Sequence, residues 1–164
     1  MSQYRPGRPP HRQQHAGGGQ QESSLPADYL KDGYLDEKGN IRKELLQEDA
    51  QRVVRSLGRI ETHQLRRFFH HLKDIETRLL YLKTVGQVQD AYETVAGDIY
   101  RLKGLSAYQA GRSHEWIPLK EFIERNVHAT KTEKDFLRGF IPHFEAVVAY
   151  HSYKTSTSAK RRTI

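Results

Sequence analysis

The stretch that decides the fold is THQLRRFFHHLKDIETRLLYLK, residues 62–83. Its large apolar residues recur at steps of three and four, the spacing that places side chains on one face of an α-helix. Thr62 stands where an N-cap belongs, just before this series. We therefore predict a long helix, capped by Thr62, that buries one face against other helices. The buried face consists of Leu65, Phe68, Phe69, Leu72, Ile75, Leu79 and Leu82.

One further helix is predicted on each side of this one. Apolar residues at helical spacing indicate a first helix over about 42–57, and Gly58 suits the residue that follows its C-terminus. A third helix covers about 88–111. It contains Gly97 and Gly104, and because glycine weakens a helix interior we expect close approach of another backbone at these positions.

The last two helices begin at recognisable start signals. Pro118 suits the first turn of a short fourth helix. Thr132 and Asp135 resemble a capping box and open a fifth helix, which continues through the apolar run FEAVVAYHSY, residues 144–153. Pro142 lacks a backbone donor, so it predicts a kink near 138–142.

These elements predict an all-α fold, a compact bundle of about five helices with short connections. Residues 1–28 are rich in Gly, Pro, Gln and Arg, a composition that predicts a disordered tail. The helical bundle domain is predicted at 29–153, with a structured entry loop over 29–41. A flexible basic tail is predicted at 154–164.

Composition limits the class of protein. The 164 residues include no cysteine, which excludes disulfides and thiolate metal sites. The sequence shows no run apolar enough to span a membrane and no signal peptide, so we expect a cytoplasmic protein without membrane contact. It also lacks phosphate-binding loops, nucleophile elbows and catalytic carboxylate clusters, so we expect no enzyme, no cofactor and no metal site.

The net charge of +7 is unevenly distributed. The two tails carry most of the excess, but eight basic and three acidic residues lie between Arg52 and Lys83. On a helical wheel, basic residues of 62–83 lie opposite the apolar face and form a basic stripe of about 18 Å from Arg66 to Arg78. Candidate residues on this helix are Arg66, Arg67, His70, Lys73 and Arg78.

The stripe allows two interpretations. Arginine and lysine side chains can neutralise the phosphates of a nucleic acid, which gives affinity without base recognition. Alternatively, the same charges serve only to solvate an exposed helical face. The third helix adds the candidates Arg101, Lys103, Tyr108 and Arg112, although Tyr108 could equally lie in the core. For His151 and Tyr153 two interpretations likewise stay open: each belongs either to the end of the helix or to a surface that binds a ligand.

Four segments together show a family pattern: YLDEKGNIRKELL at 34–46, THQLRRFF at 62–69, AYQAGR at 107–112 and FEAVVAYHSY at 144–153. In this order and spacing they resemble the small α-helical subunit of the type III-A CRISPR effector (Csm) complex. The resemblance implies a non-catalytic helical bundle, present as stacked copies along the guide RNA and its target RNA. It also implies a position opposite the backbone subunits and against the large polymerase-like subunit, and RNA-contacting roles for Gln64, Arg66, Arg67 and Arg112.

A second hypothesis stays open, that of a helical protein-interaction spacer. Its basic residues would pair mainly with acidic partner subunits. Exposed acidic residues would supply a complementary contact between copies. They are Asp36, Glu37, Glu44, Glu48 and Asp49.

Overall fold

The predicted all-α bundle is confirmed in the computed structural model, which describes residues 25–86 and 89–161. The predicted disordered tail therefore lies, up to residue 24, outside the described residues, as does Val88 of the third helix. Five helices have seven residues or more. The helices are α1 (Lys43–Leu46), α2 (Glu48–Ser56), α3 (Thr62–Val85), α4 (Ala91–Arg112), α5 (Ile117–Ala129), α6 (Glu133–Asp135) and α7 (Ile141–Arg161). A short 3₁₀ turn, His114–Trp116, precedes α5, and a π-helical segment, Phe136–Phe140, joins α6 to α7.

The core forms where α3, α5 and α7 meet. The ring of Phe144 on α7 packs edge-on against Phe69 of α3 and Phe122 of α5, with ring centroids 5.6 and 5.0 Å apart. The helix α3 buries Leu65, Leu72 and further residues of the predicted apolar face. The longest helix, α3, contacts both α4 and α7. These contacts determine which side chains of α3 are buried and which reach the surface.

The entry segment, residues 25–41, is anchored in the bundle by two buried tyrosines. The hydroxyl of Tyr34 donates to Asn126 Oδ1 at 2.9 Å. The hydroxyl of Tyr29 donates to His143 Nε2 at 2.6 Å and accepts from Asn126 Nδ2 at 2.9 Å. His143 Nδ1 in turn donates to the carbonyl of Leu45 at 2.6 Å. Burial lowers the pKa of His143 to about 4, so the ring is neutral near pH 7, and with the proton on Nδ1 its Nε2 accepts from Tyr29.

The first predicted helix is in fact two, because the backbone at Gln47 is not helical (φ −125°, ψ −87°). The carbonyl of Leu45, just before the break, accepts the hydrogen bond from His143. The prediction of a continuous helix over 42–57 was therefore wrong at this point. Gly58 follows α2 with φ +59°, as predicted for a residue beyond a helix C-terminus.

The cap of α3 also differs from the prediction. Glu61, with extended backbone, is the N-cap, and its N–H donates to Gln64 Oε1 at 2.8 Å in a capping box. Thr62 is instead the first helical residue, and its hydroxyl contacts His151 Nδ1 at 3.0 Å. In contrast, the capping box of Thr132 and Asp135 is confirmed, with Asp135 N donating to Thr132 Oγ1 at 3.1 Å.

The expected irregularity before Pro142 takes the form of the π-helical segment. A proline cannot donate to the carbonyl four residues back and its ring crowds that carbonyl, so the preceding turn widens. Gly139 lies in this segment, where a β-carbon would come within 2.7 Å of the Tyr34 ring. The close approach expected at Gly97 and Gly104 was wrong, since no described atom lies within 4 Å of a β-carbon at either position.

The described structure continues beyond both predicted domain boundaries. Leu25, which we placed in the disordered tail, is buried in the core. At the other end α7 does not stop at Tyr153 but continues to Arg161. Hydroxyl groups in this last part bond the carbonyls four residues back, as Thr157 does to Tyr153 at 2.9 Å, which is compatible with a continuing helix.

Candidate nucleic-acid interface

The surface of α3 is divided as the helical wheel predicts. Buried residues lie on one side, while Arg66, Arg67, His70 and Arg78 are exposed on the other. Asp74 is exposed among them. The basic stripe is therefore available to a partner along its predicted length.

Four of the six predicted residues of α3 already have partners within the domain, and one of them, Arg78, pairs with Asp98 of α4. Lys73 is only partly exposed and forms an ion pair with Glu76, one turn further along the helix. Gln64 is engaged in the capping box at the start of α3. Arg66 lies at the edge nearest α7, where its Nη2 donates to Ser152 Oγ at 3.3 Å. Arg67 and His70, by contrast, are exposed and make no hydrogen bond or ion pair with any described residue.

A second row of candidates runs along α4 beside the stripe. Arg101, Leu105, Tyr108 and Arg112 follow each other at steps of four, three and four, so they share one face of the helix. All four are exposed, and Tyr108 is 63% exposed, which places it on the surface rather than in the core. The guanidinium of Arg112 lies over the Tyr108 ring, 5.8 Å from its centroid.

The two rows are joined by an acidic residue that was not among the candidates from the sequence. Asp98 of α4 accepts from Arg78 Nη1 of α3 at 2.6 Å and from Arg101 Nη1 of its own helix at 3.0 Å. A groove of about 310 Å³ lies here, lined among others by His71, Asp74 and Leu105. We call the surface formed by both rows the α3–α4 face; it consists of Arg66, Arg67, His70, Arg78, Arg101, Tyr108 and Arg112.

Lys103 lies apart from this face. It is two residues from Arg101, hence about 200° around α4, and it lines a groove of about 760 Å³ formed with α5 and the entry segment. Lys31, Arg125 and Lys131 line the same groove. The sequence thus grouped two basic surfaces that the fold separates. Of the second surface, only the residue on α4 was identified as a candidate.

His151 and Tyr153, whose positions the sequence left open, lie near the end of α7 in different environments. His151 is buried beside Thr62, and burial lowers the pKa of His151. Tyr153 is 73% exposed. His151 therefore belongs to the packing between α7 and the start of α3, and only Tyr153 can meet a partner.

The histidines and carboxylates do not assemble into a metal site in the described part of the chain. Over residues 25–86 and 89–161, no group of three or more His, Asp or Glu side chains could hold a metal ion. Within the same residues, no helix is long and apolar enough to cross a membrane.

Fold and surface together define a class, that of small all-α proteins with a basic face built on two adjacent helices. The sequence model of the Csm2 Type III-A family matches residues 40–157. This match covers most of the chain, which therefore belongs to the Csm2 family, small subunits of the type III-A CRISPR (Csm) complex. No curated protein and no solved structure matches the chain.

Proposed function

We propose that the chain is a non-catalytic, RNA-binding small subunit of a type III-A CRISPR interference complex. Copies of it stack along the guide RNA paired to its target RNA, opposite the backbone subunits and against the large polymerase-like subunit. The α3–α4 face holds the RNA backbone and positions it without reading bases. The observation that carries the proposal is this face, on which exposed arginines from two helices lie side by side in a member of the Csm2 family.

The chemistry of the face suits a sugar–phosphate backbone. Guanidinium groups match phosphate geometry through two parallel hydrogen bonds, and an exposed tyrosine offers a ring on which a base can stack. Arg67 and His70 have no competing partner among the described residues, so an RNA strand does not have to displace an internal bond to reach them. Lys73 and Gln64 contribute less, because both are already bonded within the domain.

The test is a salt titration of RNA binding by the assembled complex. Each phosphate contact on single-stranded RNA adds about 0.7 to the slope of log affinity against log salt, so the double variant Arg66→Ala, Arg67→Ala should flatten the slope by about 1.4 per copy. The matched control is Lys31→Ala, Lys131→Ala, which removes the same charge from the separate groove near Lys103. A slope that changes only in the control would refute the α3–α4 face as the RNA-binding surface.

The spacer function remains the second candidate, and the acidic residues near the entry segment favour it. Glu44, Glu48 and Asp49 line one shallow groove, and Glu44 and Glu48 are exposed. Two of the five acids are less available, however. Asp36 accepts from the backbone of Lys38 and Asn40, and Asp49 pairs with Arg52 at 3.3 Å.

Photo-crosslinking of the assembled complex separates the two candidates. RNA binding predicts adducts between target nucleotides and peptides containing Arg67 or Tyr108. The spacer function predicts adducts to partner proteins alone.

A further inference from the structure

Asp98 occupies an unusual place for an acid on a surface that meets RNA. It lies between two arginines of the α3–α4 face and uses a different oxygen for each. Arg78 binds Oδ2 and Arg101 binds Oδ1. The two guanidinium groups therefore do not compete, and one carboxylate holds both.

The arrangement leaves the arginines accessible while the acid is shielded. The side chain of Asp98 is 23% exposed, whereas those of Arg78 and Arg101 are 54% and 80% exposed. A guanidinium has five N–H donors, and each of these groups uses one nitrogen, Nη1, on Asp98. The remaining donors are free to bind another oxygen ligand on the solvent side.

Fixing these two side chains in advance has a consequence for binding. A free arginine loses rotamer freedom when it is held on a phosphate, and this entropy loss weakens binding. If the side chains are already ordered before RNA arrives, the loss has occurred on folding. The effect opposes that of charge, because a negative charge near a polyanion weakens binding by itself.

We propose that Asp98 is a positioning residue that holds Arg78 and Arg101 as a preformed pair for the phosphates of the RNA backbone. The inference rests on the proposed function, and Asp98 itself does not contact RNA. The alternative is that Asp98 only links α3 to α4. Exposed ion pairs contribute little to stability, so a purely structural role gives little reason for RNA affinity to depend on this carboxylate.

The experiment uses the fact that losing the negative charge and losing the positioning should change RNA affinity in opposite directions. Asp98→Asn and Asp74→Asn each remove one negative charge from the same groove, but Asp74 holds no arginine in the described structure. By charge alone, both variants of the assembled complex should bind RNA more tightly. Positioning predicts that Asp74→Asn binds as tightly or more tightly, whereas Asp98→Asn binds about fivefold or more weakly because two side chains must now be ordered on binding.

Two further readouts separate positioning from stability. The salt slope of Asp98→Asn should fall, by up to about 1.4 if both phosphate contacts are lost, and a small change in thermal stability would not produce that fall. Asp98→Glu keeps the carboxylate and should recover part of the affinity. Tighter binding by Asp98→Asn, equal to that of Asp74→Asn, would overturn the inference.

The proposed function is tested separately in the same series. Arg78→Ala and Arg101→Ala should each weaken binding if the face holds RNA. Weaker binding by these variants together with tighter binding by Asp98→Asn would refute only the positioning role. Unchanged binding by both arginine variants would refute the RNA-binding face, and the positioning role with it.

Discussion

Gly139→Ala and Gly97→Ala, the same chemical change at two helical positions, should shift stability in opposite directions. At Gly139 the added β-carbon would lie within 2.7 Å of Cβ, Cγ and Cδ2 of Tyr34. At Gly97, in the middle of α4, the new methyl group would meet no described atom within 4 Å. Local propensity favours alanine at both helical sites by about 1 kcal/mol, so any difference in sign comes from tertiary packing.

The neighbouring structure determines the magnitude at Gly139. Tyr34 is 1% exposed, stacks on Phe140 with ring centroids 6.4 Å apart, and is held at its hydroxyl by Asn126. The ring therefore cannot retreat without losing packing or a buried hydrogen bond. Overpacking of this kind costs about 1–3 kcal/mol. A lost buried hydrogen bond adds about 1–3 kcal/mol.

We therefore expect Gly139→Ala to lower the unfolding free energy by about 3 kcal/mol, which corresponds to a fall in Tm of roughly 10 °C for a domain of this size. Gly97→Ala should raise the unfolding free energy by up to about 1 kcal/mol. The assay is thermal and urea unfolding of the isolated chain, followed by far-ultraviolet circular dichroism at fixed pH.

A double variant identifies the cause. In a Tyr34→Gly background both the ring and the β-carbon are absent, so Gly139→Ala should cost almost nothing, and the two changes should be strongly non-additive. Equal effects of Gly139→Ala in both backgrounds, or a stabilising effect in the native background, would contradict the packing argument.

The buried network of the entry segment gives two further predictions. Because the pKa of His143 falls from 6.5 in the unfolded chain to about 4 in the fold, stability should be complete above pH 6.5 and decrease as the pH falls towards 4. The expected loss is about 3 kcal/mol in all, at a slope of about 1.4 kcal/mol per pH unit. His143→Gln should flatten that part of the profile of unfolding free energy against pH; an unchanged slope would exclude His143 as its source. Separately, Tyr34→Phe should lower the unfolding free energy by about 1–3 kcal/mol, because Asn126 Oδ1 loses a buried donor. Urea unfolding measures this change. An unchanged unfolding free energy would show that Tyr34 is held by its ring alone.

The sequence predicts the long helices well because their signal is local and repeated. Seven apolar residues at helical spacing define the buried side of α3, and the same pattern fixes which arginines must lie on the opposite side. The capping box at Thr132 is equally local, since donor and acceptor are three residues apart. Such features are readable from sequence because helical geometry alone brings the residues together.

Features that depend on distant contacts could not be predicted in this way. The break at Gln47 coincides with a bond from His143, almost a hundred residues away in sequence. Similarly, nothing local distinguishes Gly139, which faces Tyr34, from Gly97, which faces open space. The sequence also groups Arg101 with Lys103, although only the packing of α4 against α3 and α5 shows that they lie on different surfaces.

The distribution of charge supports the proposal that the subunit acts in several copies. On the α3–α4 face Asp98 offsets part of the charge of Arg78 and Arg101. This face of one copy therefore offers only a few effective phosphate contacts, and by counterion release a few contacts give weak, salt-sensitive binding. Under the proposed function, stacked copies on one RNA would raise the effective concentration of each further face, so affinity would accumulate along the strand. In that arrangement the geometry of each arginine pair matters more than the total charge, because every copy repeats the same small gain or loss.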